Sequence, residues 1–339
     1  MKFNAFHNLS GQFVKPYGDG FLLSSLGIFT TRPSDTQIIS VDSIEDVQRE
    51  VTLSQARYSS SMSAINFPKA ANITVQAPLH VYSSTITSQD WQGKRASGEN
   101  RQLTAEDVVT THAVKHYLQA RRDVEYQMAQ SLLHNTVEAT HLREGPTIDW
   151  TEFWGIEQPS ITVKTGLGDN VITEMQNAVT KLKKALGGWS SSIAQIYLLA
   201  SPSLFTAIQG NPTAYQAALF GATSNDIIFP TELGAYDRFN LGRVTVIQVD
   251  DPLYQIKEGT GFMLATFGNI VEGDLSPYMT YVTPASRHAE VASGPVYPSY
   301  HYVIRDPRFM NYEVVSELSQ IQIPMRPDFV LKVTMDDAA

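Results

Sequence analysis

The sequence predicts an α+β protein that folds as more than one compact unit. The chain has 339 residues, more than a single hydrophobic core usually serves, so two subdomains are expected. One long helical pattern covers residues 103–139, helices and strands alternate between 172 and 265, and residues 285–339 are rich in strand patterns punctuated by prolines. These three observations together predict the α+β class.

The first 30 residues are rich in aromatic side chains, but glycines and prolines interrupt every helical run. We therefore expect an irregular arm, which has to bury its aromatic side chains somewhere. It either packs on its own domain or reaches a neighbouring subunit, and the sequence leaves both interpretations open. The aromatic residues that are candidates for contact with another subunit are Phe3, Phe6, Phe13, Tyr17 and Phe21.

A long hairpin is predicted after the arm. Residues 36–44 have mostly alternating apolar side chains, which is typical of a strand. Residues 51–63 are polar and rich in serine, and a second strand-like run covers residues 73–86. Two strand patterns on either side of a polar tip favour a hairpin. The segment Gln92–Gly98 predicts a flexible turn that closes it.

The long helix is predicted over residues 103–139. Thr104 followed by Asp107 is a start of the capping-box type, with Asp in place of Glu. About 35 residues at 1.5 Å each give a rod of roughly 50 Å, which suits a scaffold. Arg121 and Glu125 lie four residues apart, and we expect them to form a surface pair that contributes about 0.3 kcal/mol at most.

A compact α/β segment follows the long helix. The helix predicted over residues 172–186 has five apolar residues at helical spacing, and a second helix is expected from Ser201, as N-cap, and Pro202 to Gly210. The apolar residues of the first helix are Ile172, Met175, Val179, Leu182 and Leu186. The predicted strands are 161–164, 196–200, 243–247 and 261–265.

The composition excludes several classes of protein. Without cysteine, the chain cannot form disulfides, thiolate zinc sites, Fe–S clusters or a cysteine nucleophile. The net charge of −9 makes it a poor non-specific binder of nucleic acid. Charged residues make up only 17%, so we expect other protein to cover much of the surface. No apolar run of about 18 residues and no signal-peptide pattern occur, which favours synthesis in the cytosol and no membrane span.

Motifs for chemistry are weak. His112 and His116 share a helix face, but Ala113 stands where a zinc protease needs Glu, so we expect solvated or interface histidines. The segment Gly166–Asn170 lacks the third glycine of a dinucleotide loop, which favours a turn and a helix cap. The pair Asp250–Asp251 is expected to be a solvated turn. We therefore predict no catalytic, cofactor-binding or metal-binding residue.

Four segments carry a resemblance to a known family, and the most specific is at the C-terminus. There Arg305-Asp306-Pro307-Arg308, Ser316, Ile323–Val330 and Val333 resemble the C-terminal signature of the lambda-type major capsid proteins of tailed bacteriophages, the capsid protein E family. Arg32–Thr36 is similar to the start of the family's strand that enters the extended loop. Arg121–Glu125 is similar to its basic-then-Glu segment in the long helix. Phe67–Lys69 is similar to the Pro-x-Lys sequence that leads into its second loop strand.

The resemblance implies the Hong Kong 97-type capsid fold and its domains. It identifies residues 1–44 as the N-terminal arm with the strand that follows it, and 45–98 as the extended loop. Residues 99–165 with 286–339 would form the peripheral domain, and 166–285 the axial domain. Besides the aromatic residues of the arm, the implied contacts with other subunits are Lys69, Lys94, Arg95, Arg121 and Glu125. No feature singles out Lys69 or Lys94 for covalent cross-linking.

The function implied by the resemblance is a major capsid protein. It would assemble into pentamers and hexamers of an icosahedral shell that encloses double-stranded phage DNA without sequence-specific binding. It would lie in the virion and be assembled in the cytoplasm of the host bacterium. Only about 100 residues precede the long helix, so we expect any scaffolding protein to be a separate chain. A portal and a decoration protein are further partners that the resemblance suggests.

Three alternatives stay open on the sequence. An encapsulin-like cellular compartment shares the same fold, and the C-terminal signature argues against it. An unrelated α/β enzyme with an acidic cleft is disfavoured because plausible catalytic constellations are scarce. A phage tail or decoration protein suits a single long helix less well.

Overall fold

Contacts divide the chain into two compact units. The computed structural model describes residues 6–12, 21–42, 72–96, 98, 101–137, 148–215, 231–233, 236–268, 276–284, 287–306, 308 and 311–336. The first unit comprises Met1–Ile39, Thr74–Asp149 and Tyr278–Ile323. The second comprises Ser40–Ile73, Trp150–Pro277 and Pro324–Ala339.

Helices and strands alternate irregularly along the chain, as in an α+β protein. The strands are β1 (Phe6–Asn8), β2 (Thr30–Pro33), β3 (Ile38–Asp42), β4 (Asn72–Gln76), β5 (Leu79–Ile86), β6 (Thr136–Val137), β7 (Ile148–Asp149), β8 (Ser160–Val163), β9 (Ile193–Ala200), β10 (Thr231–Leu233), β11 (Tyr236–Leu241), β12 (Val244–Gln248), β13 (Thr260–Phe267), β14 (Tyr278–Val282), β15 (Tyr300–Arg305), β16 (Tyr312–Pro324) and β17 (Val330–Met335). The α-helices are α1 (Leu22–Leu26), α2 (Ala105–Leu133), α3 (Trp150–Trp154), α4 (Val171–Leu186), α5 (Pro202–Gln209) and α6 (Ala289–Ala292). Short 3-10 helices cover Ser10–Gln12, Ser88–Asp90, Gly187–Ser192, Pro252–Tyr254 and Pro327–Phe329.

The first unit is built on a six-stranded sheet. Its order is β1-β15-β16-β14-β2, and β5 also pairs with β16. Val314 and Val315 are neighbours on β16, so their side chains point to opposite faces. Each belongs to a separate apolar cluster, and one of these clusters packs against the start of α2. The cluster at α2 contains Leu9, Ile86, Val108, Val109, Ala113, Val303 and Val314, and the other contains Val291, Tyr300, Tyr302 and Val315.

The long helix α2 starts where the sequence predicts. Thr104 Oγ1 accepts from the backbone N–H of Asp107 at 3.2 Å, and Asp107 Oδ2 accepts from the backbone N–H of Thr104 at 3.0 Å. The capping box is therefore confirmed. The helix ends at Leu133, before the predicted residue 139, because Asn135 takes a left-handed conformation (φ 54°) and the chain enters β6. Its 29 residues span roughly 44 Å.

The second unit contains a seven-stranded sheet in the order β10-β11-β12-β9-β13-β17-β8. Helix α4 buries Met175, Leu182 and Leu186, as its spacing predicts. The other two buried positions are Val171 and Ala178, each one residue before the predicted Ile172 and Val179. The strip that faces the sheet is therefore rotated slightly from the one read off the sequence.

The boundaries between the two units differ from the boundaries of the predicted domains. We expected residues 99–165 and 286–339 to form one domain with the long helix. Strand β17 instead pairs with β13 on one side and with β8 on the other, within the sheet of the second unit. The backbone ladder therefore groups residues 150–165 and the end of the chain with the second unit.

Only the base of the predicted hairpin lies within the described residues. Strands β3 and β4 pair as a two-stranded sheet, which fits the two strand patterns around the polar tip. Residues 43–71, with Lys69, lie outside the described part. Strand β5 leaves this pair and joins β16 in antiparallel register, with Ser84 opposite Val314 and Tyr82 opposite Ser316.

Candidate assembly surfaces

The described start of the N-terminal arm is anchored on its own unit. Strand β1 pairs antiparallel with β15, with Phe6 opposite Ile304 and Asn8 opposite Tyr302. The ring of Phe6 stacks on that of His288, with centroids 4.0 Å apart and an angle of 13°. Of the two interpretations of the arm, residues 6–12 therefore follow the first and pack on their own domain. Phe3, Phe13 and Tyr17 lie outside the described residues.

Glu125 is fully buried, so the prediction that it lies on the surface is wrong. Its carboxylate accepts from the backbone N–H of Leu23 at 2.5 Å, from that of Ser24 at 3.1 Å and from Ser24 Oγ at 2.6 Å. The first turn of α1 has N–H groups without partners inside the helix, and these donors offset the cost of burying the charge. With no exposed surface in this conformation, Glu125 offers no atoms to a neighbouring subunit.

Arg121 and Phe21 contact each other beside this carboxylate. The guanidinium carbon of Arg121 lies 5.8 Å from the centroid of the Phe21 ring, a distance typical of a cation–π contact. Both residues are half-buried. Their exposed atoms remain available to another subunit, while the contact itself holds the start of α1 against α2.

Lys94 and Arg95 are exposed on a turn that is more ordered than the flexible one we expected. Gly93 adopts a positive φ of 72°, which favours glycine at this position. The backbone N–H of Leu103 donates to Lys94 O at 2.8 Å, and Arg95 forms an isolated bridge with Gln102. The backbone is therefore held, and the two basic side chains project from a defined position.

The start of α2 lies directly beyond this turn and is strengthened by an ion pair. Arg101 donates two hydrogen bonds to the carboxylate of Asp107, at 2.6 and 2.9 Å. The guanidinium and the capping bonds from Thr104 hold the pKa of Asp107 well below its usual value. Asp107 therefore stays ionised, and keeps capping the helix, at a lower pH than an isolated aspartate would.

The middle of α2 meets the sheet through polar side chains. His112 and His116 were expected to be solvated or at an interface, but both turn towards serines on neighbouring strands, because their helix face lies over β5 and β16. Further along the helix, Gln127 contacts His80 and Ser131 contacts β16. The distances are 2.9 Å for His112 Nδ1–Ser84 Oγ, 3.1 Å for His116 Nδ1–Ser316 Oγ, 2.7 Å for Gln127 Nε2–His80 Nε2, 2.5 Å for Tyr82 OH–Asp123 Oδ2 and 2.7 Å for Ser131 Oγ–Gln322 O.

His301 on β15 lies under the same part of α2 and has no exposed surface. Its Nδ1 is 2.8 Å from Ser316 Oγ, and its Nε2 is 2.9 Å from Ser299 Oγ. Burial, and secondly the charge of His116, lower the pKa of His301 to about 4. Burial and the charge of His112 also lower the pKa of His116. Both rings are therefore neutral at pH 7.

The described residues offer little for chemistry. They contain no group of three or more His, Asp or Glu side chains placed to hold a metal ion. A cavity of about 10 Å³ between α2, β6 and β16 has room for roughly one water molecule. Asp251 caps the 3-10 helix after it by accepting from the backbone N–H of Leu253 at 2.9 Å. None of the helices in the described ranges has the length and apolar character of a membrane span.

A comparison with protein families decides between the open alternatives. The family model described as phage major capsid protein E matches residues 15–335. The chain belongs to the phage major capsid protein E family. This confirms the family inferred from the arm, helix and C-terminal motifs, and it places the chain in the phage head. No curated protein sequence matches the chain.

Solved structures share the fold along most of the chain. A protein of Mycobacterium phage Patience is 13% identical, with a TM-score of 0.50 over 94% of this chain and 84% of its own. The mature capsid of bacteriophage PhiM1 is 10% identical, with a TM-score of 0.51 over 96% and 90%. The fold is that of the Hong Kong 97-type phage capsids, as predicted, and both family and fold are those of a structural shell protein rather than an enzyme.

The encapsulin alternative shares this fold. The SrpI encapsulin of Synechococcus elongatus PCC 7942 is 10% identical, with a TM-score of 0.50 over 96% of this chain and 90% of its own. Identity this low shows the fold alone, which phage heads and encapsulins have in common. The family match separates them, because it covers nearly the whole chain and belongs to the phage capsid proteins.

Proposed function

We propose that this capsid protein assembles into pentamers and hexamers that close an icosahedral head around double-stranded phage DNA. The family match over residues 15–335 carries the proposal. The fold shared with the PhiM1 mature capsid supports it. With a net charge of −9, the chain encloses the polyanion without gripping it, since few cations are available to displace phosphate counterions.

We assign the predicted domains to the two units with one change. Residues 1–44 serve as the arm with its following strand, and 45–98 as the extended loop, a role supported by the β3–β4 pair at its base. The first unit, with α2, serves as the peripheral domain. The second unit serves as the axial domain and also takes in β8 and β17, because both belong to its sheet.

The contacts with neighbouring subunits are proposed on the exposed candidates. Lys94 and Arg95 project from a held backbone, so they present two positive charges at a fixed place. Phe6, Phe21 and Arg121 contribute only the surface that they do not use within the subunit. The candidates outside the described residues are Phe3, Phe13, Tyr17 and Lys69. Glu125 is withdrawn, since its carboxylate is used within the chain.

Assembly is proposed to take place in the cytoplasm of the host bacterium. A separate scaffolding protein, a portal and a decoration protein are the proposed partners. Contacts between many copies would cover surface that the single subunit leaves exposed. The low content of charged residues, 17%, supports a surface that is largely covered in the assembled state.

Negative-stain electron microscopy of the full chain tests this function. The chain is expressed alone and together with its genomic neighbours, and the product is imaged. Closed shells or capsomer rings are expected, with nucleic acid inside particles formed in infected cells. Enzyme cargo in place of nucleic acid would favour the encapsulin alternative. A uniform particle of monomer-to-tetramer size under all conditions would contradict the proposal.

A further inference from the structure

Two histidines share one serine hydroxyl at a junction inside the first unit. Ser316 Oγ lies 2.8 Å from His301 Nδ1 and 3.1 Å from His116 Nδ1. Ser316 is on β16, His301 on β15 and His116 on α2, so the hydroxyl joins three elements. Ser299 Oγ, 2.9 Å from His301 Nε2, occupies the other ring nitrogen of the central histidine.

The N-terminal segment is hydrogen-bonded to the backbone of His301. The backbone N–H of Leu9 donates to His301 O at 2.7 Å. Ser10 Oγ donates to that carbonyl at 3.3 Å and accepts from the backbone N–H of His301 at 2.9 Å. A displacement of His301 would therefore break hydrogen bonds to Leu9 and Ser10 as well as its link to α2 through Ser316.

The hydroxyl of Ser316 fixes how many protons the two rings can hold. It has a single hydrogen, so with both rings neutral it donates to one Nδ1 and accepts from the N–H of the other. A further proton on the acceptor ring turns its Nδ1 into a second donor. The hydroxyl then faces two N–H groups, and its own hydrogen loses its acceptor. The positive charge sits in a site that is buried at His301 and half-buried at His116.

The groups around the two rings do not offset that charge. A positive charge on His116 lowers the pKa of His301, and a positive charge on His112 lowers the pKa of His116. Each added proton therefore makes the next less favourable. Two carboxylates on the same elements are engaged with tyrosines: Asp123 accepts from Tyr82, and Glu317 accepts from Tyr302 on the opposite face of β16. Two tyrosine rings also face the histidines. The ring centroid of Tyr117 lies 5.9 Å from that of His301, and the ring centroid of Tyr82 lies 6.3 Å from that of His116.

We infer that this junction is an acid-sensitive release point, at which protonation of His116 and His301 detaches residues 6–12 and α2 from β15 while the second unit keeps its structure. This inference concerns the single chain and does not depend on the proposed shell. It gives the capsid protein a built-in response to acidification, located where the arm, the long helix and the sheet meet.

The size of the response follows from linkage. The pKa of His301 is about 4 in the docked state and about 6.5 for a solvated histidine. The released state therefore binds more protons, and release increases as the pH falls from about 6.5 towards 4, where it levels off. Between pH 7.5 and pH 5 the ratio of released to docked molecules rises about 30-fold.

Hydrogen–deuterium exchange of the full chain tests the inference. Exchange is measured at pH 7.5 and pH 5 and corrected for the intrinsic rates. Peptides over residues 6–12 and 300–305 are expected to exchange about 30-fold faster at pH 5. Peptides over β9 and β13 of the second unit are expected to keep their protection. Equal protection at both pH values, or equal loss in both units, would overturn the inference.

Single substitutions separate the histidine pair from other acid effects. Gln at position 301 can bond both serines without titrating, so H301Q is expected to lose most of the response. The matched control is H134Q, because His134 caps the end of α2 and lies outside the junction. A full response in H301Q would refute the role of this ring. If H301Q does not fold, H116Q replaces it in this test. It removes the other ring that contacts Ser316, so it is also expected to weaken the response to acid.

Discussion

The buried carboxylate of Glu125 gives the sharpest test of how the arm is attached. In the variant Glu125→Ala, the backbone N–H groups of Leu23 and Ser24 and the hydroxyl of Ser24 lose their acceptor. Hydrogen bonds to a charged group contribute about 1.5–3 kcal/mol each, and an unpaired buried donor costs about 1–3 kcal/mol. Because contributions of neighbouring groups are not additive, we expect a total loss of about 3–5 kcal/mol.

The assay is urea unfolding of the unassembled full chain, followed by circular dichroism. Glu125→Gln keeps one acceptor oxygen, so it is expected to lose less than Glu125→Ala. The matched control is Lys115→Ala on the exposed face of the same helix, which should stay within about 0.5 kcal/mol of wild type. Faster hydrogen exchange over residues 22–26 would show that the lost stability lies at α1.

The result that refutes this reasoning is a small loss in Glu125→Ala. A surface pair with Arg121, as the sequence alone suggests, would contribute only about 0.3 kcal/mol. A loss below about 1 kcal/mol, with unchanged exchange at α1, would therefore mean that the carboxylate does not hold the arm.

Three further predictions concern the long helix, the second sheet and the arm. Thr104→Ala removes the hydroxyl that caps α2 and should lower the free energy of unfolding by about 1 kcal/mol in the same urea assay, whereas Thr110→Ala on the exposed side of the first turns should change it little. A Cβ at Gly261 would lie 2.8 Å from Leu199 O and 3.0 Å from Leu204 Cδ2, so Gly261→Ala should cost about 1–3 kcal/mol, and wild-type stability would disprove the close contact. Deletion of residues 1–29 should leave a chain that does not form shells in negative stain, and normal heads would contradict a role of the arm in assembly.

The local features of the chain could be predicted from the sequence because their causes are local. The capping box at Thr104 needs only residues three positions apart, and Pro202 begins α5 because its fixed φ suits a first helical turn. The strands β9, β12 and β13 follow from short apolar runs. Gly166–Asn170 forms the expected turn and cap, since Asn170 accepts from the backbone N–H of Thr173 at 3.2 Å.

The buried polar contacts could not be predicted, because their partners are far away along the chain. Glu125 bonds to backbone groups about a hundred residues before it, and no side-chain pattern marks those donors. His301 and His116 both contact the hydroxyl of Ser316, which lies on a third element. The long-range pairing of β17 with β8 and β13 likewise places the end of the chain in the second unit instead of the domain predicted for residues 286–339. The positions of these residues depend on tertiary structure, which the spacing of residues in one helix or strand does not encode.

The polar contacts also explain why the apolar stripe of α2 is rough. Apolar side chains are buried at both ends of the helix. Val108, Val109 and Ala113 at the start belong to the cluster on the sheet, and Leu132 and Leu133 are buried at the end. Between these ends, histidine, glutamine and serine side chains also contact the sheet. Apolar surfaces attract without direction, so they tolerate sliding, whereas a hydrogen bond fails when its atoms move apart by about 1 Å. The apolar ends therefore supply attraction, and the polar contacts between them fix the position of the helix on the sheet. Three of those fixing contacts use histidine, His80, His112 and His116, so the position of α2 depends on hydrogen bonds made by imidazole nitrogens.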